Sequence, residues 1–155
     1  IRVFEVSLGA MTASRSSAVA EELREAGLRV TAGRIALLQT VRDGDHLGAE
    51  AIADGVRGRI GHVSLQTVYE GLQALVAAGL VRRLEPGGWP ARFDGRVGDG
   101  HHHLVCRACG ALADVDRLAG RSSCLTAAED RGFSIEEAEV FFWGLCPACS
   151  PARGS

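Results

Sequence analysis

The chain has 155 residues, 46% apolar and 23% charged, with a formal net charge of -2, which suits a globular protein of one large domain or two small ones. A sum so close to neutral predicts no strong general attraction to nucleic acid, and no stretch reads as a membrane span or targeting signal, so a cytoplasmic location is expected with no membrane partner. The distribution says more than the sum: residues 12–93 carry ten Arg against nine acids, residues 94–155 six against nine, and there is no lysine, so every fixed cation is a guanidinium suited to phosphate contacts.

Residues 1–10 are apolar but too short to cross a bilayer, and Met11 is a possible natural start, so no function is assigned to them. From Ser16 the pattern turns helical, with Val19, Leu23 and Ala26 on one face, Ser17 as N-cap and Gly27 as stop. A second helix starts at its cap Thr31 and runs through Ile35, Leu38 and Val41, leaving His46 in the loop that follows. A third carries Ile52, Ala53 and Val56 and ends near Arg59–Gly61. The fourth is capped by Ser64 and stopped by Gly79. Its apolar stripe is Leu65, Val68, Leu72, Leu75 and Val76, and its opposite face shows Gln66, Thr67, Tyr69, Glu70 and Gln73, a polar set with few full charges that suits a helix reading base edges. Leu80–Leu84, a Glu85–Gly88 turn and Trp89–Phe93 then read as a hairpin whose second strand Pro90 confines to an edge. Helices followed by an arginine-bearing hairpin describe a winged helix-turn-helix over residues 12–93, although the same elements also fit a small structural domain.

Beyond a linker over 94–100, metal chemistry dominates. The pair Cys106/Cys109 is answered after 36 intervening residues by Cys146/Cys149, and two Cys-x-x-Cys hooks supply what a tetrahedral four-thiolate zinc site needs. A single hook could be a redox motif; two favour metal. Gly110 suits the tight turn of the first hook. His101 and His103 share one face of an extended strand and can chelate one ion, with carboxylates on both sides of the cluster, while His102 points the other way. Ala111–Asp116 alternates as a strand, Cys124–Arg131 reads as a short helix ended by Gly132, and Phe133–Leu145 as a long strand. The expected fold class is therefore α+β, the second domain (101–150) being an α/β unit with a three-stranded antiparallel sheet. Its apolar sheet face is too large for its size and should be covered by a second copy. Cys124 reads as a half-buried thiol at a helix start.

The order of these elements, with Thr67-Val68-Tyr69, Ala78-Gly79-Leu80-Val81, Arg92-Phe93-Asp94, His-His-His-Leu-Val-Cys-x-x-Cys-Gly and Trp-Gly-Leu-Cys-x-x-Cys, resembles the ferric uptake regulator family over nearly all of residues 17–149, and its actinobacterial peroxide-responsive members in particular. The resemblance implies a dimeric, metal-dependent repressor with an N-terminal winged helix and a C-terminal dimerisation domain holding structural zinc on Cys106, Cys109, Cys146 and Cys149. It implies a regulatory iron(II) or manganese(II), with zinc possible, on His46, Asp94, His101, His103 and Asp114. It places Tyr69 on operator DNA, and the DNA-contacting set expected around it is Ser64, Gln66, Thr67, Arg29 and Arg34. Two departures stand out. Glu70 occupies a position where most relatives have Arg, which puts a phosphate contact there in doubt, and Ala138 occupies that of a histidine in the family's additional metal site, so that site is not expected.

The function expected is a homodimeric repressor of catalase or other oxidative-stress genes that senses peroxide through bound iron, with double-stranded operator DNA as partner and no small-molecule substrate. An iron- or zinc-uptake repressor is the alternative, although zinc-uptake repressors usually place a cysteine in the sensory site. A non-haem metal hydrolase is a remote second alternative, because no nucleophile or general base is evident.

Overall fold

The computed structural model describes residues 8–116, 129–136 and 138–150. It divides into two compact units, one formed by the chain up to Leu84 together with Ala91–Val97, the other by Glu85–Pro90 together with the chain from Gly98 onward.

The first unit holds four helices and a hairpin: α1 (Leu8–Glu25), α2 (Ala32–Asp43), α3 (Ala49–Ile60), α4 (Leu65–Ala77), β1 (Arg82–Leu84) and β2 (Arg92–Asp94). Two starts follow from side-chain caps. Thr31 accepts the N–H of Arg34 at 3.2 Å and Ser64 accepts that of Thr67 at 3.0 Å, each satisfying a donor that the first helical turn leaves open. At the far end of α4, Gly79 takes φ +73, and Leu80 donates back to Leu75 O at 3.0 Å; a residue with a β-carbon resists that turn. The first helix corrects the expectation of a Ser17 cap, because α1 begins upstream at Leu8. Leu8, Ala10, Met11 and Arg15 are good helix formers, and Ser16 accepts from Gln39 of α2 at 3.1 Å, so the serines lie inside the helix.

The core of this unit contains Leu23, Leu38, Ile52, Leu72 and Leu75, all essentially inaccessible, joined by Val81 and Phe93 from the hairpin side. Burying each of the larger side chains stabilises by roughly 1.5–3 kcal/mol. The stripe of α4 is buried as the spacing predicts, with Val68, Leu72 and Leu75 inside and Leu65 and Val76 partly covered. The hairpin pairs Arg82 with Asp94, Arg83 with Phe93 and Leu84 with Arg92.

Ion pairs staple α1 and α3 onto α2. Arg42 binds Glu22 through both guanidinium nitrogens at 2.9 and 2.6 Å, and Asp43 takes Arg15 and Arg59, each at 2.6 Å. The Arg42 hydrogen bonds hold Glu22 below its ordinary 4.5, and those from Arg15, then Arg59, hold Asp43 below 3.8. Carboxyls depressed in the folded state stabilise it fully above their unfolded values and lose that contribution as pH falls through the folded ones. The thermal midpoint of the first unit is therefore expected to drop as pH falls from about 5 toward 3, with Glu22→Gln giving a shallower slope in calorimetry. A Glu22→Gln slope equal to the wild type's would remove Glu22 from the account.

The second unit carries a mixed three-stranded sheet in the order β4-β3-β5, from β3 (His102–Cys106), β4 (Leu112–Val115) and β5 (Phe141–Gly144). The expected all-antiparallel sheet is corrected here: β3 and β4 are antiparallel, but β3 and β5 run parallel, pairing His103 with Phe141 and Cys106 with Gly144. A tight turn at residues 107–111 can only return the chain antiparallel, whereas the long stretch between β4 and β5 allows the crossover that parallel neighbours need. The long strand expected over Phe133–Leu145 is also shorter, starting at Phe141, with Phe133 and Ile135 left exposed. β3 begins only at His102, after a glycine-rich approach, so β5 finds its pairing partner no earlier than that. The expected helix over Cys124–Arg131 lies largely outside the described residues, as does Cys124.

Candidate metal centres

The parallel pairing brings the two hooks together. Both Cys-x-x-Cys turns follow their strands, so strands running the same way deliver both to one end of the sheet, and the amide of Cys146 donates to Cys106 Sγ at 3.3 Å. The hooks have the same backbone form: Gly110 N–H donates to Cys106 O at 2.9 Å and Ser150 N–H to Cys146 O at 2.8 Å. Gly110 has φ +71, and a β-carbon there would lie 2.5 Å from the ring of Trp89, so the glycine of the first hook is required by both backbone and space. All four sulfurs lie within 4.8 Å of one another, and Cys109 and Cys146 are 3.7 Å apart. Thiolates bonded to zinc at about 2.3 Å on the corners of a tetrahedron stand about 3.8 Å apart, so the set fits that ion. Its electrostatics ask for a cation. Backbone donors, that of Cys146 foremost, hold the Cys106 thiol down to about 6, whereas the crowding thiols of Cys146 and Cys109 push Cys149 up to about 12.

At the start of β3, with His101 just before the strand and His103 within it, the alternation expected of the histidines holds. His103 is fully buried, and His101 and His103 bring their Nε2 atoms to 3.1 Å of each other. Asp114 reaches the same point from β4, where it pairs with His103, with Oδ1 3.6 Å from His101 Nε2 and 3.7 Å from His103 Nε2. Two imidazole nitrogens bound to one ion at about 2.1 Å and at right angles stand about 3 Å apart, so this nitrogen and oxygen cluster also fits a metal. His102, opposite Val115, is buried on the other side of the strand.

Within the first unit, His46 and Asp94 are brought side by side. His46 follows α2 with φ 49, and next to it Leu47 O accepts the N–H of Phe93 at 2.9 Å, an isolated bridge that lays β2 against the His46 loop. The ring Nε2 of His46 then lies 4.0 Å from Asp94 Oδ2, both side chains buried. Gly95 makes the approach possible, since a β-carbon there would meet Arg42 Cγ at 2.7 Å and Cα at 3.0 Å.

Three carboxylates escaped the sequence reading. Asp45 Oδ1 lies 2.7 Å from His46 Nδ1, Asp99 Oδ1 2.5 Å from His101 Nδ1, and Glu139 Oε1 3.3 Å from His103 Nδ1. For the first two, closeness in sequence to a candidate histidine was a readable signal. Glu139 offered none.

The polar face of α4 is as expected. Tyr69 is 44% exposed, and Gln66 donates to Glu70 at 3.0 Å, which turns that carboxylate toward its own helix. Arg29 and Arg34 line a cavity of about 360 Å³ with Thr67 and Glu70, and Arg34 donates to Arg29 O at 2.8 Å. The Ser64 hydroxyl is committed to its cap. Among the described residues no helix is long and apolar enough to cross a membrane.

Residues 25–142 match the model of the ferric uptake regulator family, and the chain belongs to that family. It is 53% identical over 131 residues to the transcriptional regulator FurA of Mycobacterium tuberculosis, covering 84% of this chain and 89% of that one. It is 31% identical over 141 residues to the peroxide operon regulator of Bacillus subtilis, covering 90% and 97%. The structure of the ferric uptake regulator from Pseudomonas aeruginosa with manganese is similar at 28% identity and TM-score 0.63, over 83% of this chain and 98% of that one. Membership in a family of regulators leaves the hydrolase alternative without support.

Proposed function

We propose that this chain is a dimeric repressor of catalase or other oxidative-stress genes, which binds operator DNA when a regulatory metal is bound and releases it on reaction with peroxide. The observation that carries the reading is the sulfur-free donor set, two histidine Nε2 atoms and Asp114 converging in the second unit, with His46 and Asp94 offering the same chemistry in the first. Nitrogen and carboxylate donors suit iron(II) or manganese(II). A zinc-uptake repressor, whose sensory site usually includes a cysteine, is the poorer fit.

In this reading residues 12–93 form a winged helix, 94–100 a linker and 101–150 the dimerisation domain, with Cys106, Cys109, Cys146 and Cys149 on structural zinc. The side-by-side pair Leu104 and Phe142, 46% and 40% exposed, is the start of the sheet face that a second copy covers. One ion on His46, Asp94, His101, His103 and Asp114 takes ligands from both domains and so fixes the angle between them. In a dimer that angle sets the separation of two α4 helices, which must match half-sites about one turn of DNA apart. Metal therefore favours the DNA-binding population. Tyr69, Gln66 and Thr67 face the bases, and Ser64, Arg29 and Arg34 stand at the edge of that face.

A gel shift against the DNA upstream of the protein's own gene tests this, with and without manganese(II). Binding is expected only with metal, and Tyr69→Ala is expected to weaken it about tenfold or more with metal content unchanged. Equal binding without metal would overturn the corepressor reading. Unaltered binding by Tyr69→Ala would remove α4 from the DNA.

A further inference from the structure

We infer that Glu139 is a positioning residue for the regulatory metal, holding the His103 ring so that Nε2 is the nitrogen presented to the ion; the inference rests on the reading of His101, His103 and Asp114 as metal ligands. Three consecutive residues running into the start of β5 hold this one residue, two of them through its side chain. The amide of His103 donates to Val140 O at 3.1 Å, its ring stacks on Phe141 with centroids 5.6 Å apart and planes at 26°, and its Nδ1 faces Glu139 Oε1 at 3.3 Å. Its Nε2 is left facing His101 Nε2 and Asp114.

A neutral imidazole has one lone pair to give, and the nitrogen that carries the proton cannot bind metal. A carboxylate beside Nδ1 keeps the proton on that side and makes Nε2 the donor, and such outer-sphere partners are typically worth 10–100-fold in metal affinity. The other histidines also have a carboxylate near Nδ1, His101 a hydrogen-bonded Asp99 and His46 the neighbouring Asp45 at 2.7 Å, but there the carboxylates lie within two residues along the chain and are more exposed. Glu139 comes from far along the chain, and its side chain is 30% exposed against 39% for Asp99 and 83% for Asp45. Solvent therefore screens its charge least. The segment that holds it continues through β5 to Cys146, so the strand that orients His103 is the one that places the second cysteine hook.

The test uses the full chain with zinc in the four-cysteine site, titrated with manganese(II) while the free ion is followed by electron paramagnetic resonance. Glu139→Ala is expected to bind manganese 10–100-fold more weakly and Glu139→Gln less severely, both with wild-type zinc content and thermal midpoint. Long-range proton–nitrogen spectra without manganese should show the Nδ1–H form of His103 in the wild type and a mixture in Glu139→Ala, a change that loss of packing alone does not produce. His103→Ala is the control. If it loses manganese binding while Glu139→Ala binds as the wild type does, the role of Glu139 is overturned and the site stands. If His103→Ala itself binds normally, the reading of the site fails. Should Glu139→Ala lose zinc or fold, Glu139→Gln decides, with wild-type affinity and an unchanged spectrum overturning the proposal.

Discussion

Replacing Cys106 or Cys149 with serine is expected to abolish zinc retention and dimerisation together. Removing one thiolate leaves three donors for an ion that structural sites hold with four, and structural zinc contributes on the order of 10 kcal/mol or more that is also folding free energy. Among its described residues the second unit has little else to rely on. Its sheet has three short strands, Leu104, Phe142, Trp143 and Leu145 are substantially exposed, and Val105 and Cys106 are the apolar side chains fully covered among the described residues of its strands. Cys106 is expected to lose most when changed, because it also receives the Cys146 amide and so joins the two hooks directly. Zinc by atomic absorption and mass by sedimentation would report the outcome. A soluble, zinc-free Cys149→Ser dimer of wild-type stability would show that the cluster is not structural.

The helical half of the fold was legible because its signals are local. Thr31 and Ser64 cap, Gly79 stops, and the 3.6-residue stripe of α4 names the side that is buried. The sheet was less legible, since strand direction is set by partners rather than by sequence. One non-local clue was present: both cysteine hooks follow their strands, so one shared tetrahedral ion requires neighbouring strands to run parallel, as β3 and β5 do. The apolar alternation of Phe133 and Ile135 misled because a strand needs a backbone to pair with, and pairing starts only at His103 with Phe141. In the candidate sites, the cysteine hooks and the paired His101 and His103 that the structure brings together were readable by type and spacing, whereas His46, Asp94 and Asp114 were reached through the family resemblance. The carboxylate that holds His103 was not readable, because nothing in the chain near Glu139 marks it until β5 is paired.

With iron(II) in the regulatory site, peroxide is expected to add oxygen to a peptide carrying His46 or His101–His103 and to release the protein from DNA, whereas with manganese(II) it should do neither. Iron(II), when bound, supplies the electrons that reduce peroxide; manganese(II) does so far less readily. The protein determines what is then oxidised. His101 and His103 bring their Nε2 atoms to 3.1 Å of each other, His103 is wholly enclosed, and the thiols among the described residues belong to a separate cluster. Asp114 contributes a hard anionic oxygen at the same point, which favours the oxidised state of the metal. A ring altered at Nε2 or beside it is a poorer donor, so the ion, and DNA affinity with it, is expected to be lost. The competing product is a disulfide. Cys109 is exposed and its sulfur lies 3.7 Å from that of Cys146, so a thiol sensor would bridge this pair once zinc is expelled. Four-coordinate zinc withholds the sulfur lone pairs and shields against that route. Mass spectrometry of the released protein separates the two: oxygen on the histidine peptides with four zinc-bound cysteines supports iron-based sensing, while intact histidines with a Cys109–Cys146 disulfide, or one involving Cys124, would move the sensor to the thiols.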